Sequence, residues 1–178
     1  MVMYRRARLA GGSYFFTLAL ADRRTDLLVR HVDLLRDAFR QARARRSFRI
    51  DAIVVLPEHL HMVMSLPEGD GDFSNRIASM KVSFVRSLRS KGYVLKPTAK
   101  REVGIWQPRF WEHVLRDERD FAAHVDYIHI NPLKHGLARR VIDWPYSSFH
   151  RYVRDGVLPV DWAGGEEGDV PEAGERQS

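Results

Sequence analysis

Phe48-Arg-Ile-Asp-Ala-Ile-Val-Val-Leu-Pro-Glu-His-Leu-His-Met-Val-Met-Ser-Leu66 decides how this chain folds. An apolar run closes with Ile53-Val-Val-Leu56, halts at Pro57-Glu58 and resumes from His59. Two β-rich runs with so short a connection predict a pair of antiparallel strands over 48–56 and 59–66. On a strand, alternate side chains share a face, so His59 and His61 project together while Leu60 enters the opposite layer. Two neutral imidazoles placed this way make half of a divalent transition-metal site; they are equally compatible with two partly exposed histidines at a strand start.

Working outward, Tyr14-Phe-Phe-Thr-Leu-Ala-Leu20 reads as a first strand with a central place in the sheet. Between the strands, Leu27, Leu28, Leu34, Leu35, Ala38 and Phe39 form one apolar stripe of a helix over 26–46, with arginines on the other side. After the turn cluster at 67–72, Asp72 or Ser74 caps a helix over 73–90, whose apolar positions are Phe73, Ile77, Met80, Phe84 and Leu88. A weakly patterned basic connection over 92–104 leads to a fourth strand at 110–115. A last helix over 117–130 carries Phe121, His124, Val125 and Ile128 on one side; Pro132 is expected to disturb or end it. Strand, helix, strand, strand, helix, strand and a further helix spell an α+β sandwich of the ferredoxin-like kind, an antiparallel sheet with helices on one face. Residues 1–163 are read as one domain and 164–178 as an acidic, disordered tail.

Charge narrows the class of partner. The chain of 178 residues carries a net charge of +6, and 24 of its 29 bases are arginine. Residues 164–178 hold five acids against one base, so removing their net −4 leaves +10 on the rest. Arginine's planar fork suits bidentate contacts to phosphate, and a basic body of this kind favours nucleic acid as the partner, although a solvated surface in an arginine-rich proteome has the same composition. Cysteine is absent, which excludes disulfide scaffolds, cysteine-ligated zinc and thiol nucleophiles. Arg5, Arg6 and Arg8 lack a following signal-type apolar core, and the run at 14–21 is too short to span a bilayer, so a soluble, cytoplasmic protein is expected.

A second constellation is Tyr127-Ile-His-Ile-Asn131, in which residues i and i+4 share one helix face. A tyrosine hydroxyl there can attack a phosphodiester while the asparagine carbonyl meets a metal, dividing one transfer into two reversible steps; the same pattern also suits a tyrosine packed beside Ile128 and Ile130. His129 and His135 are near enough in sequence to aid deprotonation of the phenol, but read rather as structural or DNA-contacting, and Glu112 and His113 as supporting groups. Trp106, Phe110 and Trp111 either stack unpaired bases, at about 1–3 kcal/mol per base, or anchor a strand in the core. Trp144, Tyr146 and Phe149 read as packing for the C-terminal segment. Lys81, Arg86, Arg109 and Lys134 are phosphate-contact candidates, or simply solvated charges, and Arg5, Arg6 and Arg8 a minor DNA-binding arm.

Five ordered segments carry a resemblance: Leu56-Pro-Glu-His-Leu-His-Met62, Leu66-Pro-Glu-Gly-Asp-Gly-Asp-Phe73, Trp106-Gln-Pro-Arg-Phe-Trp-Glu-His113, Asp126-Tyr-Ile-His-Ile-Asn-Pro-Leu-Lys-His-Gly136 and Trp144-Pro-Tyr-Ser-Ser-Phe149. Together they resemble the IS200-like tyrosine transposases, and most closely their REP-associated branch, which acts on repetitive extragenic palindromes. The resemblance spans roughly residues 14–162. It implies a histidine–hydrophobe–histidine endonuclease core with His59 and His61 as metal ligands, Tyr127 as nucleophile and Asn131 as a third ligand where some relatives carry glutamine. It further implies Mg²⁺ or Mn²⁺ as cofactor, single-stranded or hairpin DNA as partner, a 5′-phosphotyrosine intermediate and action as a monomer, with a homodimer, the state of the insertion-sequence relatives, as the alternative. A hairpin-binding module that does not cut, and a metallonuclease that uses water, are the alternatives.

Overall fold

In the computed structural model, residues 9–95 and 104–164 are described. The basic connection beyond 95, the tail beyond 164, and Arg5, Arg6 and Arg8 lie outside them. The described order is β1 (Ser13–Ala19), α1 (Leu27–Arg30), α2 (Val32–Arg45), β2 (Arg49–Val55), β3 (His59–Ser65), α3 (Phe73–Ser90), β4 (Trp111–Val114), α4 (Glu118–Lys134), a 3-10 turn (Val141–Asp143) and α5 (Phe149–Arg154). The four strands form one antiparallel sheet in the order β2-β3-β1-β4, so the two central strands are those beginning at Ser13 and His59.

The period-2 alternation of the strands separates two cores. Tyr14, Phe16 and Leu18 of β1 and Leu60, Met62 and Met64 of β3 point to α2 and α3, where they meet Leu35, Phe39, Phe73, Ile77 and Phe84. Phe15, Val63, Ala52 and Val54 point the other way, to Val125 and Ile128 of α4. The α+β class and the ferredoxin-like sheet expected from the sequence are therefore present. The expectation that helices occupy one face holds for α2 and α3, within the β-α-β-β-α-β unit. The further helix, α4, corrects it by covering the opposite face.

Two element boundaries depart from the sequence reading. The stripe over 26–46 is divided at His31, whose backbone leaves helical geometry (φ −117°, ψ 34°), giving α1 and α2. The last helix does not end before Pro132 but runs through it to Lys134. A proline removes one N–H from a helix, yet Ile128, Asn131 and Pro132 are buried against the sheet and hold the turn in place. Gly136, at φ 65°, is the true stop: Leu137 N–H donates to the Pro132 carbonyl at 2.9 Å and Gly136 N–H to that of Leu133 at 3.0 Å, the double bond of a Schellman ending.

Beyond α4 the chain returns to the outer edge of β2. Val55 N–H donates to the Tyr146 carbonyl at 2.8 Å, Ser148 N–H to that of Ile53 at 2.8 Å, and the Trp144 indole N–H to that of Val55 at 3.0 Å. This gives Trp144 and Phe149 the fastening role read from the sequence. Among the described residues no helix is long and apolar enough to cross a membrane.

Candidate active site

His59 opens β3 and His61 follows two residues on, both on the face turned to α4 and both buried. Their rings stand 4.9 Å apart, nearly perpendicular. The antiparallel register sets Thr17 of β1 opposite His61, and the Thr17 hydroxyl lies 2.8 Å from His61 Nδ1. Glu58, in the turn just before β3, places its carboxylate 2.8 Å from His59 Nδ1. An ionised carboxylate can only accept, so His59 Nδ1 carries the proton and Nε2 the lone pair. Burial opposes ionisation of Glu58, but the hydrogen bond to His59 and the Arg23 guanidinium, 3.2 Å away, outweigh it and hold the carboxyl below its ordinary range. An imidazole whose Nδ1 is held by a carboxylate or hydroxyl is oriented to ligate through Nε2, so the donor set fits a divalent ion.

Tyr127 reaches this pair from α4. Its ring centre is 5.4 Å from that of His61, and the Lys134 ammonium lies over the ring, 4.4 Å from its centre. Asn131 follows one turn later on the helix and is fully buried. His135, at the helix end, sets its ring 5.2 Å from that of His59. Of the residues singled out in the sequence, the fold thus gathers His59, His61, Tyr127 and Lys134 at one sheet–helix junction, with Asn131 on the same helix. Phe15 of β1 backs the group, packing against His61, Tyr127, His124 and Trp111 with ring centres 4.9–5.9 Å away.

The remaining DNA-contact candidates are spread more widely. Trp111 is half-buried on the same face, within β4. Trp106 is 7% exposed and packs against Phe84 in the core of the other face, which leaves little ring surface for a base. Lys81 lies over the Trp106 and Phe110 rings and donates to the Gln107 carbonyl at 3.1 Å. With Arg86 and Arg89 it lines a groove of about 460 Å³ along α3. Arg109 is exposed between that groove and β4.

Three features take their place only in the folded chain. Glu58 and Thr17 support the histidines, and only the strand register reveals the second. His135 joins the site because α4 continues past Pro132. His113, Asp120 and His124 form a second cluster: His113 Nε2 is 3.0 Å from Asp120 Oδ2, and His124 Nδ1 is 2.7 Å from the Asp120 carbonyl oxygen and 3.2 Å from Oδ1. Burial works against the Asp120 charge, but the Arg116 backbone N–H and His113 more than compensate, holding the carboxyl low. Burial likewise depresses His124. His129, which reads as structural, is fully buried on α4 beside Ser148, its Nε2 3.0 Å from that hydroxyl.

No protein-family model matches the chain. It is 47% identical to the REP-associated tyrosine transposase of Escherichia coli K12 over 178 residues, covering 99% of this chain and 98% of that one. A relative from Haemophilus influenzae is 45% identical over 166 residues, 92% of this chain and 94% of its own. The fold superimposes with a TM-score of 0.85 and 46% identity on a solved REP-associated tyrosine transposase bound to a REP hairpin, covering 100% of this chain and 99% of that one. Near-complete coverage at this identity, on a shared sheet and helix arrangement, makes the chain a member of the REP-associated tyrosine transposases.

Proposed function

We propose that this transposase binds hairpin DNA of the REP type and cleaves and rejoins an adjacent single strand through Tyr127. The observation that carries the proposal is the meeting of Tyr127 with His61, ring centres 5.4 Å apart, at the junction of a central strand and α4. The Tyr127 oxygen attacks phosphorus, the bond to the 3′ oxygen breaks, and the products are a 5′-phosphotyrosine and a free 3′-hydroxyl. A 3′-hydroxyl later attacks the same phosphorus and releases the phenol, so no high-energy cofactor is consumed. His59, His61 and Asn131 are the ligands for Mg²⁺ or Mn²⁺, whose contribution when bound is to polarise the scissile phosphate. Lys134 favours the negative charge that develops on the phenol as it loses its proton. Trp111 offers a half-buried ring to an unpaired base, and Arg109 and the Lys81–Arg86 groove offer charge to the phosphates of a hairpin stem. The similarity to a hairpin-bound relative supports the choice of DNA.

The test is a denaturing gel of the protein with labelled REP-type hairpin oligonucleotides, with Mg²⁺, Mn²⁺ or chelator. A slow, protease-sensitive band that requires metal and vanishes in Tyr127→Phe is expected. Cleavage without that band would assign the attack to water, and binding without cleavage would leave a hairpin-recognition module.

A further inference from the structure

The cluster formed by His113, Asp120 and His124 stands apart from the site of Tyr127, with the Phe15 ring between His61 and His124. One ligand-capable atom from each of its three residues lies within 4.8 Å of the others. The His113 and His124 rings are 4.8 Å apart, close to the 4.9 Å between His59 and His61. The second pair has in addition a carboxylate that reaches both rings, Asp120 Oδ2 lying 3.0 Å from His113 Nε2 and Oδ1 3.2 Å from His124 Nδ1. His113 comes from β4, and Asp120 and His124 are separated by one turn of α4, so the two elements present the set jointly.

We propose that His113, Asp120 and His124 bind a divalent first-row transition ion, of the Zn²⁺, Mn²⁺ or Co²⁺ class. Two imidazoles and one carboxylate favour such ions over Mg²⁺ and Ca²⁺, which prefer all-oxygen surroundings. The site is largely prebuilt. The Arg116 backbone N–H donates to Asp120 Oδ2 at 3.0 Å and orients the carboxylate. Among the described residues, the Arg116 guanidinium, 3.4 Å from the same oxygen, is the one cationic side chain besides the histidines against that carboxylate. Its side chain is 73% exposed and free to turn into solvent as an ion arrives. His124 donates its Nδ1–H to the Asp120 backbone carbonyl at 2.7 Å, so its lone pair lies on the buried Nε2, which has no hydrogen-bond partner among the described residues and is the nitrogen left to ligate. His113 is 20% exposed, which gives the ion an entry path. Bound there, the ion ties β4 to the first two turns of the helix that carries Tyr127. The proposal does not depend on Tyr127 being the nucleophile or on metal binding at His59 and His61.

The experiment is a Co²⁺ titration of metal-freed, full-length protein, followed by visible absorption and calorimetry, in wild type and in the double variant His59→Ala/His61→Ala. The double variant is expected to keep one Co²⁺ per chain, with an absorption band of mixed nitrogen and oxygen ligation. Adding His113→Gln, a neutral replacement at a partly buried position, should weaken that binding at least about tenfold while leaving the metal-free melting temperature in place. If the triple variant does not fold, paramagnetic broadening by Mn²⁺ of the His113 and His124 ring resonances in the double variant gives the same answer. A double variant that takes up no Co²⁺, or one whose bound ion ignores His113→Gln and broadens neither ring, overturns the proposal.

Discussion

Glu58 and Thr17 each take the Nδ1 of one histidine, and this decides which nitrogen faces the junction with α4. The two supports differ in strength. Thr17 offers a neutral hydroxyl that can donate or accept, whereas Glu58 offers a charge that fixes the His59 tautomer. Glu58→Gln keeps the shape and removes the charge, so Mn²⁺ affinity at this pair should fall about 10- to 100-fold. Calorimetry on the variant checks this, and unchanged affinity would make Glu58 a bystander. That His59 and His61 share a strand face, and Tyr127 and Asn131 a helix face, was legible from spacings of two and four; what singled out Tyr127 over a packed tyrosine was the family resemblance. Thr17 was not legible, because it lies 44 residues from His61 and meets it only through strand register. His113, Asp120 and His124 were equally hidden: a strand, a turn and a helix start separate them, and no single period links all three.

Element by element, the reading succeeded where a period and a punctuating residue agreed. For α3, an apolar stripe begins right after Asp72, whose carboxylate accepts the Asn75 N–H at 3.2 Å, and the expected bounds are those found. It failed where punctuation and burial disagreed, as at Pro132, where packing of Ile128 and Asn131 overrides the local penalty. The expectation that all helices share one face failed for α4, since hydropathy reports that a stripe is buried but not beneath what. The helix start offers a clean test of local chemistry. Asp117 accepts the Asp120 N–H at 2.8 Å as an N-cap. Asp117→Ala should therefore cost about 1 kcal/mol, read as a lower urea midpoint with unchanged slope. A larger loss would mean that the cap also organises the His113–Asp120–His124 cluster.

For the whole molecule, His129 couples the tyrosine helix to the C-terminal segment and makes their union sensitive to acid. It packs against Phe149, Tyr152 and Trp162, with Arg151 nearby. Burial first, and the Arg151 charge second, push its pKa down from 6.5 to about 4. Above the ordinary value it is neutral whether the chain is folded or not, and it adds no pH dependence. Between that value and about 4 the unfolded chain takes up a proton that the folded chain refuses, so stability falls as pH drops. The full loss is on the order of 3 kcal/mol. His124, depressed by burial, acts in the same direction. Urea unfolding at pH 7 and pH 5 should show a drop for wild type that is smaller for His129→Gln, and equal drops would remove His129 as its source.

The tyrosine helix is secured at both ends, by the Asp117 and Asp120 bonds at its start and, beyond Gly136, by the chain laid along the outer edge of β2. Mechanically it is a clamped beam rather than a hinged arm. A DNA end attached to Tyr127 would stay where it was captured, and the search for a joining partner would fall to the other, untethered end.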